Sequence, residues 1–183
     1  MTGSPVGCTM NVMNETTLNA LRAFPSQLEA HYAAIPREFK HWAPPSWDGV
    51  PSEPFTAIEQ ICHVRDIEID GYQVRFQRTL SEVNPWLASV DSETLAKERS
   101  YATADAAAVF AAFRTARANT LALLAELTPE QLERTAIFEG YGPVSLRSLV
   151  HYLCSHDQQH LSGLQWLLGK ACGLRHLHGG HKG

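Results

Sequence analysis

His156 and His160 stand in the series Leu146, Leu149, Leu153, His156, His160, Gly163 and Leu167, whose steps alternate between three and four residues. Such a series is the seam of a helix that faces a bundle interior. Each helical residue advances about 100° around the axis, so two residues four apart differ by only about 40°. Both imidazoles therefore project from one face, one turn apart. Burying two imidazoles without partners is costly. A divalent metal ion removes that cost, because the neutral rings become its ligands. The pair supplies half of a metal site.

The second half has to come from a facing helix, and His63 is the candidate. Phe55, Ile58, Cys62, Ile69, Tyr72 and Phe76 form an apolar stripe, and His63 lies at its edge with Glu59, Asp66 and Asp70. A carboxylate beside a ligand histidine can accept its other ring N–H and fix its tautomer. Asp66, three residues on, is the best placed for that, and it can also serve as a fourth ligand or take a proton. Spacing alone leaves three readings open: a three-histidine metal site, a His156/His160 pair with a different third ligand, and structural histidines with His63 on a solvated acidic face.

The elements that must position these residues are helical. Leu18, Leu21, Leu28, Tyr32 and Ile35 recur at helical spacing from Thr16 to Ile35, with Pro25 either kinking the helix or opening a second segment. Five prolines between positions 36 and 55 predict a loop. Its Trp42 and Trp47 read better as a lid on the core than as a surface on which substrate stacks. Thr56 and Glu59 form a capping box opening a helix to about Leu80. Asp91 to Ser100 predicts a helical turn or loop. A third helix is expected from about Ala104 to Leu127, and Thr128-Pro129-Glu130-Gln131 starts a short one. Gly140 to Pro143 is a turn, and the fourth long helix runs from near Ser145 to near Gly169. No strand alternation is evident. The expectation is an all-α four-helix bundle over residues 15–170, with flexible ends at 1–14 and 171–183.

Composition narrows the partners. Of 183 residues, 44% are hydrophobic, and 19 acidic residues outnumber 15 Lys and Arg, giving a net charge of -4. No basic face suggests a nucleic-acid partner, and no apolar run is long enough for a membrane span. The N-terminus lacks the basic start and apolar stretch of a secretory signal. Cys8, Cys62, Cys154 and Cys172 are far apart with no CxxC pair, which suits a reducing cytoplasm. Cys62 and Cys154 are expected as core thiols. His31, His41 and His151 read as structural or exposed, and His176, His178 and His181 as a tail.

The segment from Thr56 to His63 followed by Val-Arg-Asp66 resembles the second helix of the DinB/YfiT-like family. Gly142 to His160, with its H-x3-H pair, is similar to that family's last long helix, and Trp47 sits where the family often has Trp. The resemblance spans about residues 15–170. It implies up-down-down-up connectivity and one divalent metal ion (nickel, zinc or iron) held by His63, His156 and His160. It also implies a small-molecule substrate and a homodimer as in relatives. Family members include S-transferases using low-molecular-weight thiols, a thiol-dependent isomerase and metal-dependent hydrolases. A related iron-binding bundle carries H-x3-H-x-E, from which Ser162 departs here.

Three neutral histidines leave a divalent ion with its charge uncompensated and a coordination position open, as in catalytic sites. Such an ion activates water for hydrolysis or a thiol for S-transfer. The alternative is a stress-related metal-binding or small-molecule-binding protein without turnover.

Overall fold

The fold is that of a computed structural model, which describes residues 13–179, with side chains to residue 174. Four long rods form the body. The first, α1 (Glu15–Ala34), begins at Asn14, whose side chain accepts the N–H groups of Thr16 and Thr17 at 2.8 and 3.3 Å. Pro25 stays inside this one helix. The second rod joins α2 (Ala57–Asp66), a π-helical segment (Ile67–Gln73) and α3 (Val74–Ser81). The short α4 (Ser92–Glu98) lies in the crossing to α5 (Ala106–Glu126), and α6 (Pro129–Leu132) precedes α7 (Leu146–Gly179).

Two apolar clusters fix the directions of the rods. One joins Phe24 and Leu28 of α1, Ile58 and Ile61 of α2, Phe110 and Phe113 of α5, and Leu161 and Leu164 of α7. The other joins Leu21, Tyr72, Phe76, Leu124, Leu149 and Leu153. The late half of α1 thus meets the early halves of the second rod and α5 and the middle of α7. The connectivity is up-down-down-up, as expected. Each apolar seam is buried because its three- and four-residue steps keep it on one face.

Three expectations need correction. The fourth helix does not end near Gly169: it continues to Gly179, and Ala171 is fully buried. The expected flexible tail is therefore helical from residue 171 to 179. At the other end Met13 is buried and Asn14 caps α1; the remainder of both predicted ends, with His181, lies outside the described residues. Second, there is a small sheet. β1 (Trp86–Leu87) runs parallel to β2 (Thr135–Phe138), which pairs antiparallel with β3 (Gly142–Ser145). Strands of two to four residues show too few alternations to be read from a sequence. Gly140 and Gly142, at φ of 81° and 79°, make the hairpin turn that other residues adopt with strain. Third, Ile69 is not part of the inner stripe. The π segment inserts an extra residue into the turn, and Ile67 and Glu68 face inward instead.

Candidate metal centre

A polar layer crosses the bundle between the two apolar clusters, and the three histidines lie in it. The seam of α7 carries His156 and His160 inward, as their spacing predicts. His63, on the second turn of α2, is 1% exposed rather than on a solvated face. The Nε2 atoms of His63 and His156 are 3.1 Å apart, as are those of His156 and His160.

A fourth donor comes from the loop. Glu53 places Oε1 3.5 Å from His63 Nε2 and Oε2 3.3 Å from His160 Nε2. All four donor atoms lie within 4.8 Å of one another. Tetrahedral ligands at about 2.0–2.1 Å from an ion stand roughly 3.3 Å apart, so the contacts of 3.1–3.5 Å fit a shared ion. The sequence reading missed Glu53, which was grouped with a loop read only as a lid. Its one signal was an acid between Pro51 and Pro54, held by that rigid stretch against the capped start of α2.

The loop is fixed at several points. Trp47 stacks on Trp166 of α7 with ring centroids 5.9 Å apart. The N–H of Ile58 donates to the Lys40 carbonyl at 3.1 Å. Glu59 closes the capping box by accepting the Thr56 N–H at 2.9 Å. Gln60 donates to Ser52 Oγ at 2.8 Å and to the carbonyls of Glu53 and Phe55. Gly163 supplies room for this crossing, since a Cβ there would collide with Ser52 and come within 3.1 Å of Gln60 Nε2.

Gln60 also sets a tautomer. Two of the acceptors around its amide nitrogen are carbonyls, so the nitrogen must face them and Oε1 must face His160 Nδ1. An oxygen acceptor there requires Nδ1–H, which leaves the Nε2 lone pair directed into the cluster. Burial and the neighbouring imidazoles hold His156 and His160 well below the usual histidine range. Burial likewise lowers His63, against the opposing pull of Glu53 and Asp66. The donor set is thus three neutral imidazoles and a carboxylate, with the His160 lone pair already fixed toward the others, an arrangement that suits a bound cation.

Asp66 does not take the position expected of it. Its oxygens accept from Arg65 at 2.6 and 3.0 Å and from the Tyr101 hydroxyl at 2.6 Å, and Arg99 lies at 3.0 Å. Burial pushes its carboxyl up, but these hydrogen bonds and cations prevail and hold it below the usual range. The same arginine takes Asp70 at 2.6 Å, and Glu59 is spent on the cap. His63 Nδ1, the atom Asp66 was to hold, is buried without a partner. The three-neutral-ligand expectation also changes, because Glu53 supplies the charge compensation that three imidazoles lack.

A cleft of about 140 Å³ reaches the cluster, lined by Glu53, His63, His156, Tyr72, Arg75 and Tyr141 among others. The loop tryptophans lie apart from this cleft: Trp42 lines a groove with Pro44, Pro45 and Trp166, and Trp47 packs on the core. The other histidines stay apart. His31 meets Gln27 O and Gln165, His41 meets Ala102 O, and His151 meets Thr17. Cys62 is a buried thiol pushed up to about 11 by burial, which is inert rather than ligating.

The comparisons agree with this fold. YfiT from Bacillus subtilis, described as a probable metal-dependent hydrolase with an unusual four-helix bundle topology, has a similar structure with a TM-score of 0.74. The two are 20% identical, and the match covers 86% of each chain. No curated protein matches the chain significantly. Among the described residues no helix is long and apolar enough to cross a membrane. The DinB superfamily model matches residues 20–163, and the chain belongs to that superfamily.

Proposed function

We propose that the chain is a metal-dependent hydrolase whose divalent ion is held by His63, His156, His160 and Glu53. The observation that carries this reading is the convergence of three Nε2 atoms and a carboxylate beside a cleft. When bound, such an ion acts as a Lewis acid and lowers the pKa of a coordinated water. The chain's own residues do the rest. Gln60 holds His160 in the tautomer that presents Nε2. Glu53 balances charge from a loop fixed to α7. His63 and His156, at the cleft wall, face the space a substrate would enter. A cleft on that side favours turnover over a closed binding site.

The test compares chelated and metal-reloaded protein on a panel of esters and amides, beside conjugation of small thiols to electrophiles. Hydrolysis restored by metal and lost in His156→Ala supports the proposal. Metal-dependent conjugation without hydrolysis replaces it with the S-transferase reading. A metal-replete protein inactive in every arm replaces it with the binding-protein reading.

A further inference from the structure

Arg75 lies in the same cleft. It is 6% exposed, yet among the described residues no carboxylate lies within ion-pairing distance of it. One of its five N–H groups donates to the Ala88 carbonyl at 3.2 Å, and its Nε is buried without a partner. The guanidinium lies instead over the rings of Phe138, at 4.5 Å, and Tyr72, at 5.0 Å. The Tyr72 ring is in turn 6.3 Å from that of His156. Burying a cation with unmade hydrogen bonds is expensive, and folded proteins pair such groups. Arg117 in the same bundle holds two carboxylates. An unpaired guanidinium walling a cleft has the form of a binding group whose partner arrives from solution.

We infer that Arg75 is the substrate-recognition residue of this cleft and that the substrate is a small carboxylate, held by the guanidinium with its other end toward His63 and His156. This rests on the proposed function for the identity of the reacting end, but not for binding of the acid. A guanidinium donates two parallel N–H bonds to a carboxylate. One cation amid aromatic rings matches one negative charge. The rings of Phe138 and Tyr141, stacked at 4.6 Å, give the adjoining wall an apolar character. About 140 Å³ is below the range of drug-sized ligand sites, so the cleft takes a small acid or the acidic end of a longer molecule.

The experiment is calorimetric titration of the full chain with benzoate and with benzamide, its uncharged isostere, in metal-free and metal-loaded protein. Benzoate is expected to bind the metal-free protein at least roughly 10-fold more tightly than benzamide, with the preference lost in Arg75→Met, which keeps the packing over Phe138. Gly71→Ala is the second variant: its Cβ would stand 3.0 Å from Arg75 Nη1 and displace the guanidinium while favouring the helix. It too should weaken benzoate binding, and it keeps the test valid if Arg75→Met does not fold. Equal affinity for the two probes, or undiminished benzoate binding in the folded variants, overturns the inference. Benzoate bound to the metal-free protein with no metal uptake would overturn the metal reading and leave this one standing.

Discussion

Two polar groups share the middle layer of the bundle and are built on opposite plans. Arg117 donates to Glu68 at 3.0 and 2.9 Å, to Asp157 at 2.8 and 3.0 Å, and to the Leu21 carbonyl at 3.0 Å. Every partner comes from another rod, so the group ties α1, α5, α7 and the π segment together. Its donors all find acceptors, and because two buried carboxylates share one guanidinium, burial and the neighbouring Glu68 push Asp157 up to about 7. The histidine cluster is less complete: the His160 acceptor nitrogen faces the Glu53 carboxylate, and His63 Nδ1 is buried without a partner. His160 presents a lone pair to Glu53 and His156 because Gln60 has taken its proton-bearing side. The same helix, α7, supplies Asp157 to one group and His156 and His160 to the other. A self-satisfied buried network reads as architecture. One that sets a fixed imidazole acceptor against a carboxylate reads as a site awaiting a cation.

The largest expected effect comes from breaking the satisfied side. Arg117→Leu leaves two carboxylates buried without a cation and should cost about 3–5 kcal/mol of stability in urea unfolding. Replacing Arg117, Glu68 and Asp157 together with apolar residues should recover most of that loss, since no charge is then stranded. No recovery would mean that the network does more than satisfy itself.

Acid should separate the two groups next. The folded-state pKa values of His63, His156 and His160 lie below the unfolded value of about 6.5. Below that pH the unfolded chain binds more protons than the folded one, so stability falls as pH drops. The histidines' contribution should therefore be full above about pH 6.5 and fall progressively toward pH 5, while Asp157 of the Arg117 group, pushed up to about 7 by burial, contributes in the opposite sense over the same range. Bound metal should oppose the loss until the protons displace it. Unfolding curves at several pH values, with and without metal, check both statements.

Orientation comes third. Gln60→Leu removes the acceptor for His160 Nδ1 and should weaken metal affinity about 10- to 100-fold by competition with a chelator. Asp66→Asn should be the smallest effect on the metal, below roughly 2-fold, because its carboxylate serves Arg65, Arg99 and Tyr101 rather than an imidazole. A loss at Asp66 matching that at Gln60 would restore Asp66 to the site.

The histidine part of this comparison was legible in the sequence, and the rest was not. His156 and His160 were readable because they interrupt a regular apolar seam, and periodicity survives folding. His63 needed the family resemblance, since one histidine beside three acids reads equally as a surface. Asp66 was misassigned because spacing along a helix gives the face but not which cations other segments bring to it. Here Arg99 and Tyr101 arrive from the crossing after α4. Glu53 lay in a loop with no periodicity to place it. Arg75 and Arg117 were invisible as buried residues, since charge ordinarily predicts exposure. The π segment, which turns Glu68 inward, has no sequence signature.

Metal content and X-ray absorption of the native protein beside His160→Ala decide whether the histidine cluster is a metal centre. About one divalent ion per chain is expected, with nitrogen and oxygen donors at roughly 2.0–2.2 Å, and its loss in His160→Ala. Full retention of the ion by His160→Ala, or a native protein that binds none when divalent metal is supplied, would contradict it.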